Sequence, residues 1–570
     1  MSKKKIITEK EIKKARETLE KYKEGKSSLE QRIVDDEMFW KRRHWEILPK
    51  DDNKTKPSSA WMFNSIVNKH ADAMDSYPEA ICLPREQSDE ESAKTLTSIL
   101  PVVLERNNFE DTYSDNWWYK LKHGTSCTGV FWDNSLENGL GDVSIKKIDI
   151  LNVFWEPGVR DIQKSRNLFI LDMVPIELLK ERYPKLDFKG GDENEIKKYV
   201  LDNDVDTTDK LIVVDWYYKK NGVLHFCKFC EDKVLFASEN EEGYDKGWYE
   251  DGEYPIEFDL VYPEEGTCWG FGIISVCKDA QLYIDKLDEK VMNYISAAAN
   301  PRFFAKHSSG VNEEEFLDTS KPIVHVEGDV DERVLKQIVM QPLNGYVMNF
   351  RESKIEELKE TSSNRDFSQG GTAGGVTSGA AIAVLQEAGN KTSRDMIDAS
   401  YRVFRRIIRK VIERMRQFYT EGRVFRIVGE TGESEFVSFN NQGLMEQSMG
   451  TVGVDNTELF RKPIFDIDVK AQKQNPYSTL SQNETAMNLY NAGFFNPEAA
   501  QQALPALKMM TFEGKKEVED YVAEGQTLYN QLIQMQQQME ALMQENAMLK
   551  GVAIPQSEGA GSFPTMQGNL

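Results

Sequence analysis

Residues 362–411 read SSNRDFSQGGTAGGVTSGAAIAVLQEAGNKTSRDMIDASYRVFRRIIRKV and divide into two parts of different character. The first part, up to Gly379, is rich in glycine, serine and threonine, which predicts an irregular and mobile connection. From Ala380 to Tyr419, apolar residues recur at helical spacing and predict one long helix. Its expected buried stripe consists of Ile382, Leu385, Ile397, Tyr401, Phe404, Ile408, Val411, Met415 and Phe418.

The glycine-rich part comes close to a phosphate-binding loop. Gly370 and Gly375 stand five residues apart, and Thr377 occupies the place of a magnesium-binding hydroxyl. The lysine that such a loop needs is replaced by Val376, and a helix end rather than a strand precedes the glycines. An ATP-dependent nucleic-acid processing enzyme that uses this loop is therefore a second hypothesis. The first is a small-residue loop with no nucleotide.

The residues upstream predict two further helices with a compact strand-and-turn insertion between them. The first helix, 272–299, has apolar residues at alternating steps of three and four, and it stops before Pro301. The second helix is expected at 342–360, which leaves 300–341 for the insertion. Before these, residues 51–271 contain short strand-like runs and turn signals such as Asn221-Gly222, which are typical of antiparallel hairpins. The predicted fold class is α+β with several domains.

The composition argues against several classes of protein. The formal charge of −23 does not suit a protein that wraps nucleic acid on its outer surface. No run of eighteen apolar residues occurs, so no membrane-spanning helix is expected. Residues 1–50 predict a charged helical arm with a thin apolar face and no signal peptide. Six scattered cysteines favour a reducing, intracellular setting.

No metal, cofactor or catalytic site is predicted. Cys227 and Cys230 could be half of a zinc site, but a structural zinc needs four ligands and no second close pair exists. We interpret them as two thiols on a hairpin strand. The six histidines follow no metal-binding spacing.

The long helix carries a band of positive charge in an acidic chain. Either its cations pair with acidic neighbours of the same chain, or they lie beside a polyanion or between subunits. The residues are Arg402, Arg405, Arg406, Arg409, Lys410, Arg414 and Arg416.

The last part of the chain predicts helices that associate through a heptad seam. Residues 476–550 are expected to be helical, and the glycine-, proline- and glutamine-rich tail, 551–570, to be disordered. A coiled-coil scaffold or adaptor is a third hypothesis, although it leaves the hairpin-rich first half without a purpose. The seam residues, at steps of four and three, are Leu528, Leu532, Met535, Met539, Leu542, Asn546 and Leu549.

This order of parts resembles the portal proteins of tailed bacteriophages. The resemblance rests on GTSCTGVFWDNSLENGLGDVSIKKIDILNVFWEPGVRDI (124–162), on the helix–insertion–helix block and on the stretch quoted first. It implies a non-enzymatic homo-oligomer, a ring of about twelve copies at one capsid vertex, with double-stranded DNA passing through its channel. It also implies assembly in the host cytoplasm, contacts with major capsid and scaffold proteins, a terminase motor that drives DNA in, and head–tail adaptors through which DNA is ejected.

The resemblance also assigns the parts. Residues 51–271 and 380–475 would form the wing, 272–299 and 342–360 the stem helices, 300–341 the clip, 361–379 the tunnel loop and 476–550 the crown. About twelve copies at −23 each would give a channel that repels DNA rather than holding it. The residues expected to face DNA are Arg365, Ser368, Gln369, Gly370, Gly371, Thr372, Gly374, Gly375 and Thr377, of which Arg365 alone can pair with phosphate.

Overall fold

The computed structural model divides into two units, Met1–Gln472 and Lys473–Leu570, each of which is described by itself. Both contain helices, and the first also contains antiparallel sheets, a mixture compatible with the α+β class. The structure describes residues 6–48, 56–188, 209–299, 302–305, 312–317, 325, 327, 335–338, 341–363, 391–428, 434–452, 457–472, 486–495, 500–509 and 515–550.

Helices of the first unit include those predicted from periodicity. The two helices expected around the insertion are present as α6 and α8, and the long helix is described from Lys391 onward. The bounds are α1 Glu9–Trp40, α2 Trp61–Met74, α3 Glu90–Arg106, α4 Phe109–His123, α5 Ile176–Arg182, α6 Ile273–Ala299, α7 Glu313–Leu317, α8 Gly345–Thr361 and α9 Lys391–Phe418.

The described strands pair only in antiparallel fashion, as the hairpin signals predict. One sheet has the order β4-β5-β6-β7-β8, a second has the order β3-β2-β9, and four of the remaining strands form the hairpins β14–β15 and β16–β17. The bounds are β1 Tyr77–Pro84, β2 Thr125–Asp133, β3 Asp142–Ile148, β4 Val153–Trp155, β5 Asn167–Pro175, β6 Lys210–Lys220, β7 Val223–Cys230, β8 Lys233–Ala237, β9 Ile256–Leu260, β10 Tyr262–Pro263, β11 Gly270–Phe271, β12 Arg302–Ala305, β13 Leu335–Ile338, β14 Arg423–Val428, β15 Ser434–Phe439, β16 Gln447–Val452, β17 Thr457–Arg461 and β18 Phe465–Gln472.

The β6–β7 turn confirms the Asn221-Gly222 signal. Asn221 has φ 54° and Gly222 has φ 80°, which is the pair of positive values that a tight two-residue hairpin turn requires. The distant strands β1 and β18 also pair, Tyr77 opposite Gln472, so that the chain following the long helix returns to the chain preceding α3.

Helix α1 packs a thin apolar face against the sheets. It buries Ile12, Leu19, Leu29 and Ile33 against the sheets, and all of its buried residues follow one another at steps of three and four, which makes a single narrow stripe. Lys26, which is also buried, donates hydrogen bonds to the carbonyl oxygens of residues 150, 151 and 153. These bonds fix the middle of α1 to the start of β4.

The largest core surrounds α9. Phe404, Ile408, Val411 and Met415 of the expected stripe are buried in it. Other members are half-buried or lie outside the described residues: Ile397, Tyr401 and Phe418 belong to the first group, and Ile382 and Leu385 to the second. The helix also buries residues that the stripe omits, namely Ser393, Met396, Ser400, Val403, Ile407, Lys410, Ile412, Arg414 and Arg416.

The second unit contains α10 (Ala500–Met509) and α11 (Lys515–Lys550). A small core joins Leu489, Ala503, Leu507 and Val522. The predicted heptad seam lies on α11, and its apolar side chains are exposed, Leu528 by 67% and Leu549 by 82%. A single copy of the chain therefore leaves the seam without a partner among the described residues.

Candidate functional site

The helices α6 and α8 form an antiparallel pair. Arg351 Nη2 donates to Asp288 Oδ2 at 3.0 Å, and the Tyr294 hydroxyl donates to the carbonyl oxygen of Gln341. Tyr294 follows Asp288 on α6, whereas its partner Gln341 precedes Arg351, so the two segments run in opposite directions. The carboxylate of Asp288 raises the pKa of the Arg351 guanidinium above its ordinary value.

One end of this pair is buried and the other is exposed. On α6, the buried side chains include Ile273, Ile274, Cys277, Ile284 and Asp285. No described residue of this helix that follows Asp285 is buried. On α8, the buried side chains are Ile355 and Leu358, both near its end. The exposed ends of the two helices lie next to β12 and β13, which pair Arg302 with Ile338 inside the predicted insertion.

The segment between α8 and α9 is anchored at both ends on helix α2. Before it, Ser362 is buried and its Oγ lies 3.0 Å from Ser65 Oγ. After it, Ser393 Oγ donates to Asp72 Oδ2 at 2.8 Å. Since Ser65 and Asp72 are seven residues apart on one helix, the two anchor points are about 10 Å apart. The described chain thus stops after α8 and resumes at α9 at nearly the same place on α2.

All nine residues predicted to face DNA, from Arg365 to Thr377, lie outside the described residues, as does the start of the predicted long helix at 380–390. Their assignment stays a prediction. The structure adds the position of the two ends of this segment, which no spacing in the sequence indicated.

A series of ion pairs connects α9 to β9 and the chain just before it. Arg406 Nε donates to Glu257 Oε2 at 2.7 Å, and Lys410 Nζ lies 3.2 Å from Glu257 Oε1. Lys410 also donates to Glu253 at 2.6 Å, and Arg414 Nη1 donates to Asp251 at 3.1 Å. We call these four contacts the α9 ion-pair series.

A buried triad continues the series toward the start of α9. Lys120 Nζ and Ser400 Oγ both donate to Asp259 Oδ2, at 2.8 and 2.6 Å. Burial lowers the pKa of Lys120, and the carboxylate of Asp259 opposes that shift. The helix that follows residues 364–390 is therefore fixed to α4 as well as to β9.

These contacts decide between the two interpretations of the basic band for four of its members. Arg406, Lys410 and Arg414 pair within the chain, and Arg416 pairs with Glu413 and donates to the carbonyl oxygens of residues 444 and 463. The other three members form no ion pair with any described residue: Arg402, Arg405 and Arg409.

Sequence reasoning missed the acidic half of this series, although a signal for it exists. Glu257 and Asp259 are two residues apart on β9, a spacing typical of one face of a strand, whereas Asp251 and Glu253 lie in the turn before it, where Gly252 has φ 67°. Arg406 and Lys410 stand one turn apart on α9, so both can reach Glu257.

The exposed side of α8 is acidic. Glu352, Glu356 and Glu360 follow one another at steps of four and are all exposed. Glu356 lies 3.4 Å from Lys359 of the same helix. Like charges at this spacing destabilise an isolated helix slightly, so the three glutamates do not stabilise α8 itself.

The cysteine pair does not form half of a metal site, and the candidate nucleotide loop, residues 370–377, lies outside the described residues. Cys227 and Cys230 lie on β7 as predicted, but three residues apart on a strand they point to opposite faces and enter two different cores. Burial raises the pKa of Cys227 to about 12 and that of Cys230 to about 11. Across the residues that the structure describes, no group of three possible metal ligands occurs, and no helix is long and apolar enough to cross a membrane.

Comparison with known proteins gives one result that covers most of the chain. A protein-family model described as Phage P22-like portal protein matches residues 52–262 and 260–558. No curated protein matches the chain.

Proposed function

The chain belongs to the phage P22-like portal protein family, and from this premise we propose that it is the structural subunit of a ring that forms a DNA channel at one capsid vertex. The observation that carries the proposal is the family match, which extends over both units of the structure. The ring would have about twelve copies and a role in genome packaging, head–tail joining and DNA ejection.

The helix pair supports an assignment as the stem of such a subunit. We infer that α6 and α8 are the stem helices and that residues 300–341, which contain β12 and β13, are the clip. In this proposal the clip contacts the terminase motor during packaging and the head–tail adaptors afterwards. Residues 51–271 and 380–475 would form the wing, a proposal supported by the pairing of β1 with β18.

The anchoring of residues 364–390 supports a tunnel loop at 361–379. A segment whose ends are fixed about 10 Å apart on α2 can extend from a firm base toward passing DNA. Its small uncharged residues, Ser368 to Thr377, offer few bonds to phosphate, and Arg365 would make brief contacts with the DNA backbone.

Electrostatics favours a channel through which DNA slides. Each copy carries −23, so a closed ring is strongly acidic and repels the DNA backbone. Repulsion keeps DNA from binding at any one place, which is what continuous movement requires. The proposed role needs no cofactor and no catalytic residue, and the ring would be part of the virion.

The second unit supports a crown built from neighbouring copies. The exposed seam of α11 bears apolar side chains, and an exposed apolar surface of this kind is stabilised by contact with another copy. Scaffold and major capsid proteins are the proposed partners of the outer surface of the ring.

The test is direct imaging of the purified chain. Negative-stain microscopy and light scattering should find a closed ring of several hundred kilodaltons, formed alone at high concentration or after scaffold protein is added. A particle that stays monomeric or dimeric in both conditions, and at low and high salt, would contradict the proposal.

A further inference from the structure

The two outward sides of the α6–α8 pair carry opposite charges. On α6, Lys286 and Lys290 are exposed, about 160° around the helix from Asp288, the residue that faces α8. On α8, Glu352 and Glu356 are exposed, about 100° and 140° around the helix from Arg351, which faces α6. We call these the lysine side and the glutamate side.

Most of these charges form no close ion pair within the part of the chain that the structure describes, although Glu352 is near enough to Arg351 to help raise its pKa. Lys286, Lys290 and Glu352 form no ion pair with any residue that the structure describes. Glu356 reaches Lys359 at 3.4 Å, but this is an exposed pair between neighbours on one helix and contributes little.

The two sides also match in height along the pair. The Asp288–Arg351 contact places residues 286–290 of α6 beside residues 349–353 of α8. Glu352 therefore lies at a height between those of Lys286 and Lys290. When a second pair stands beside the first with the same orientation, Glu352 of one copy comes opposite both lysines of the other.

An apolar side chain accompanies the charges on the lysine side. Tyr283 on the lysine side is 57% exposed. On α8, Tyr346 is 71% exposed and stacks on Phe350 with ring centroids 6.3 Å apart, but the two rings lie about 120° and 160° around the helix from Glu352, outside the glutamate side. Covering the Tyr283 ring with a neighbour removes apolar surface from water, while the charges set the orientation and register of the contact.

We propose that the lysine side of one copy binds the glutamate side of the next, and that this head-to-tail contact closes the ring. The inference rests on the proposed ring and names the surfaces that form it. Because the two sides differ, the contact is heterologous and repeats in one direction, which is the geometry that yields rings. The charge complementarity ends about two helical turns from Glu352. There, Asp279 of α6 lies at the height of Glu360 of α8, and both are acidic.

Charge reversal tests the contact. Lys286→Glu/Lys290→Glu gives each copy two acidic sides, and Glu352→Lys/Glu356→Lys gives two basic sides. We expect each double variant to raise the concentration needed for ring assembly by at least about tenfold. The quadruple variant exchanges the two sides and should assemble as the wild type does.

Matched controls separate this effect from a change in net charge. Lys13→Glu/Lys21→Glu and Glu17→Lys/Glu24→Lys change the charge by the same amounts at exposed positions of α1. Both should leave the assembly concentration unchanged. Circular dichroism and thermal melting of the monomer verify that each variant is folded.

A cross-link provides an independent readout that does not disturb the charges of the remaining residues. Lys286→Cys/Glu352→Cys should form disulfides between copies, visible as a ladder of oligomers on a non-reducing gel. The six native cysteines are buried and should not contribute.

The possible outcomes are distinct. A wild-type chain that forms no ring overturns both the proposed function and this contact. A ring that forms equally well from wild type and both double variants overturns the contact alone and leaves the glutamates free to face DNA. Failure of a folded quadruple variant to assemble, together with the absence of a cross-link, also overturns the contact.

Discussion

Replacing Glu257 by Gln tests whether the α9 ion-pair series holds the long helix to β9. The substitution keeps the shape of the side chain and removes its charge. It therefore removes the ion pairs with Arg406 at 2.7 Å and with Lys410 at 3.2 Å without creating a large cavity.

The size of the expected destabilisation depends on how Arg406 and Lys410 are stabilised once the charge of Glu257 is gone. Removing one partner of a buried ion pair destabilises a protein by about 3–5 kcal/mol when the other charge is left alone. Lys410 is buried, but it keeps Glu253 at 2.6 Å, and the side chain of Arg406 is 45% exposed, so water can solvate it. We therefore expect a loss of about 2 kcal/mol in the free energy of unfolding.

The assay is urea denaturation of the full-length chain below its assembly concentration, followed by tryptophan fluorescence. The matched control is Asp466→Asn, which breaks an ion pair of similar length, 2.7 Å to Arg85, with both side chains 52% exposed. We expect no measurable change in the midpoint for the control, because an exposed pair contributes little.

A double-mutant cycle with Lys410→Met sharpens the result. Because Glu257→Gln removes the charge that Lys410 pairs with, the two substitutions should be less destabilising together than the sum of the single effects. The reasoning is refuted if Glu257→Gln shifts the midpoint no more than Asp466→Asn does, or if the two substitutions are simply additive.

Three further predictions concern other parts of the chain. Burial raises the pKa of Asp36 from 3.8 to about 6, so the folded state binds this proton more tightly than the unfolded state, and stability should fall as pH rises from about 4 to about 6. Asp36→Asn should flatten this part of the plot of urea midpoint against pH, and an unchanged slope would contradict the prediction. Gly124 has φ 92° and an added Cβ would lie 2.3 Å from the carbonyl carbon of Phe271, so Gly124→Ala should lower the free energy of unfolding by more than about 3 kcal/mol in urea denaturation. Gly158 has φ 80° but lies in open space, so Gly158→Ala should lower it by about 1 kcal/mol, and equal losses would rule out the close approach at Gly124. Truncation after Gln526 removes the α11 seam, and electron microscopy should still find rings, with an altered copy number allowed; complete loss of assembly would favour the coiled-coil scaffold hypothesis.

Local patterns were enough to predict many of the elements. The apolar spacing predicts α6 within one residue of its observed start, and the Asn-Gly signal predicts the β6–β7 turn, because both depend on residues that are neighbours in the chain. The quoted motifs also led to the family that the comparison found.

The candidate site could be predicted only in part. The proposed tunnel loop was inferred from composition and resemblance, and its residues, Arg365 to Thr377, stay a prediction. The anchoring of its two ends on α2 could not be inferred, since Ser65 and Asp72 are separated from their partners by about 300 residues of chain.

What the sequence alone determined is the set of segments and the charges they carry. What only the tertiary structure decided is which charges neutralise one another and which stay exposed. Lys410 and Arg414 look like surface cations by their residue type, yet they are buried because Glu253, Glu257 and Asp251 come to meet them. A charge can be buried when a partner compensates the loss of water, and the position of that partner is a property of the folded chain.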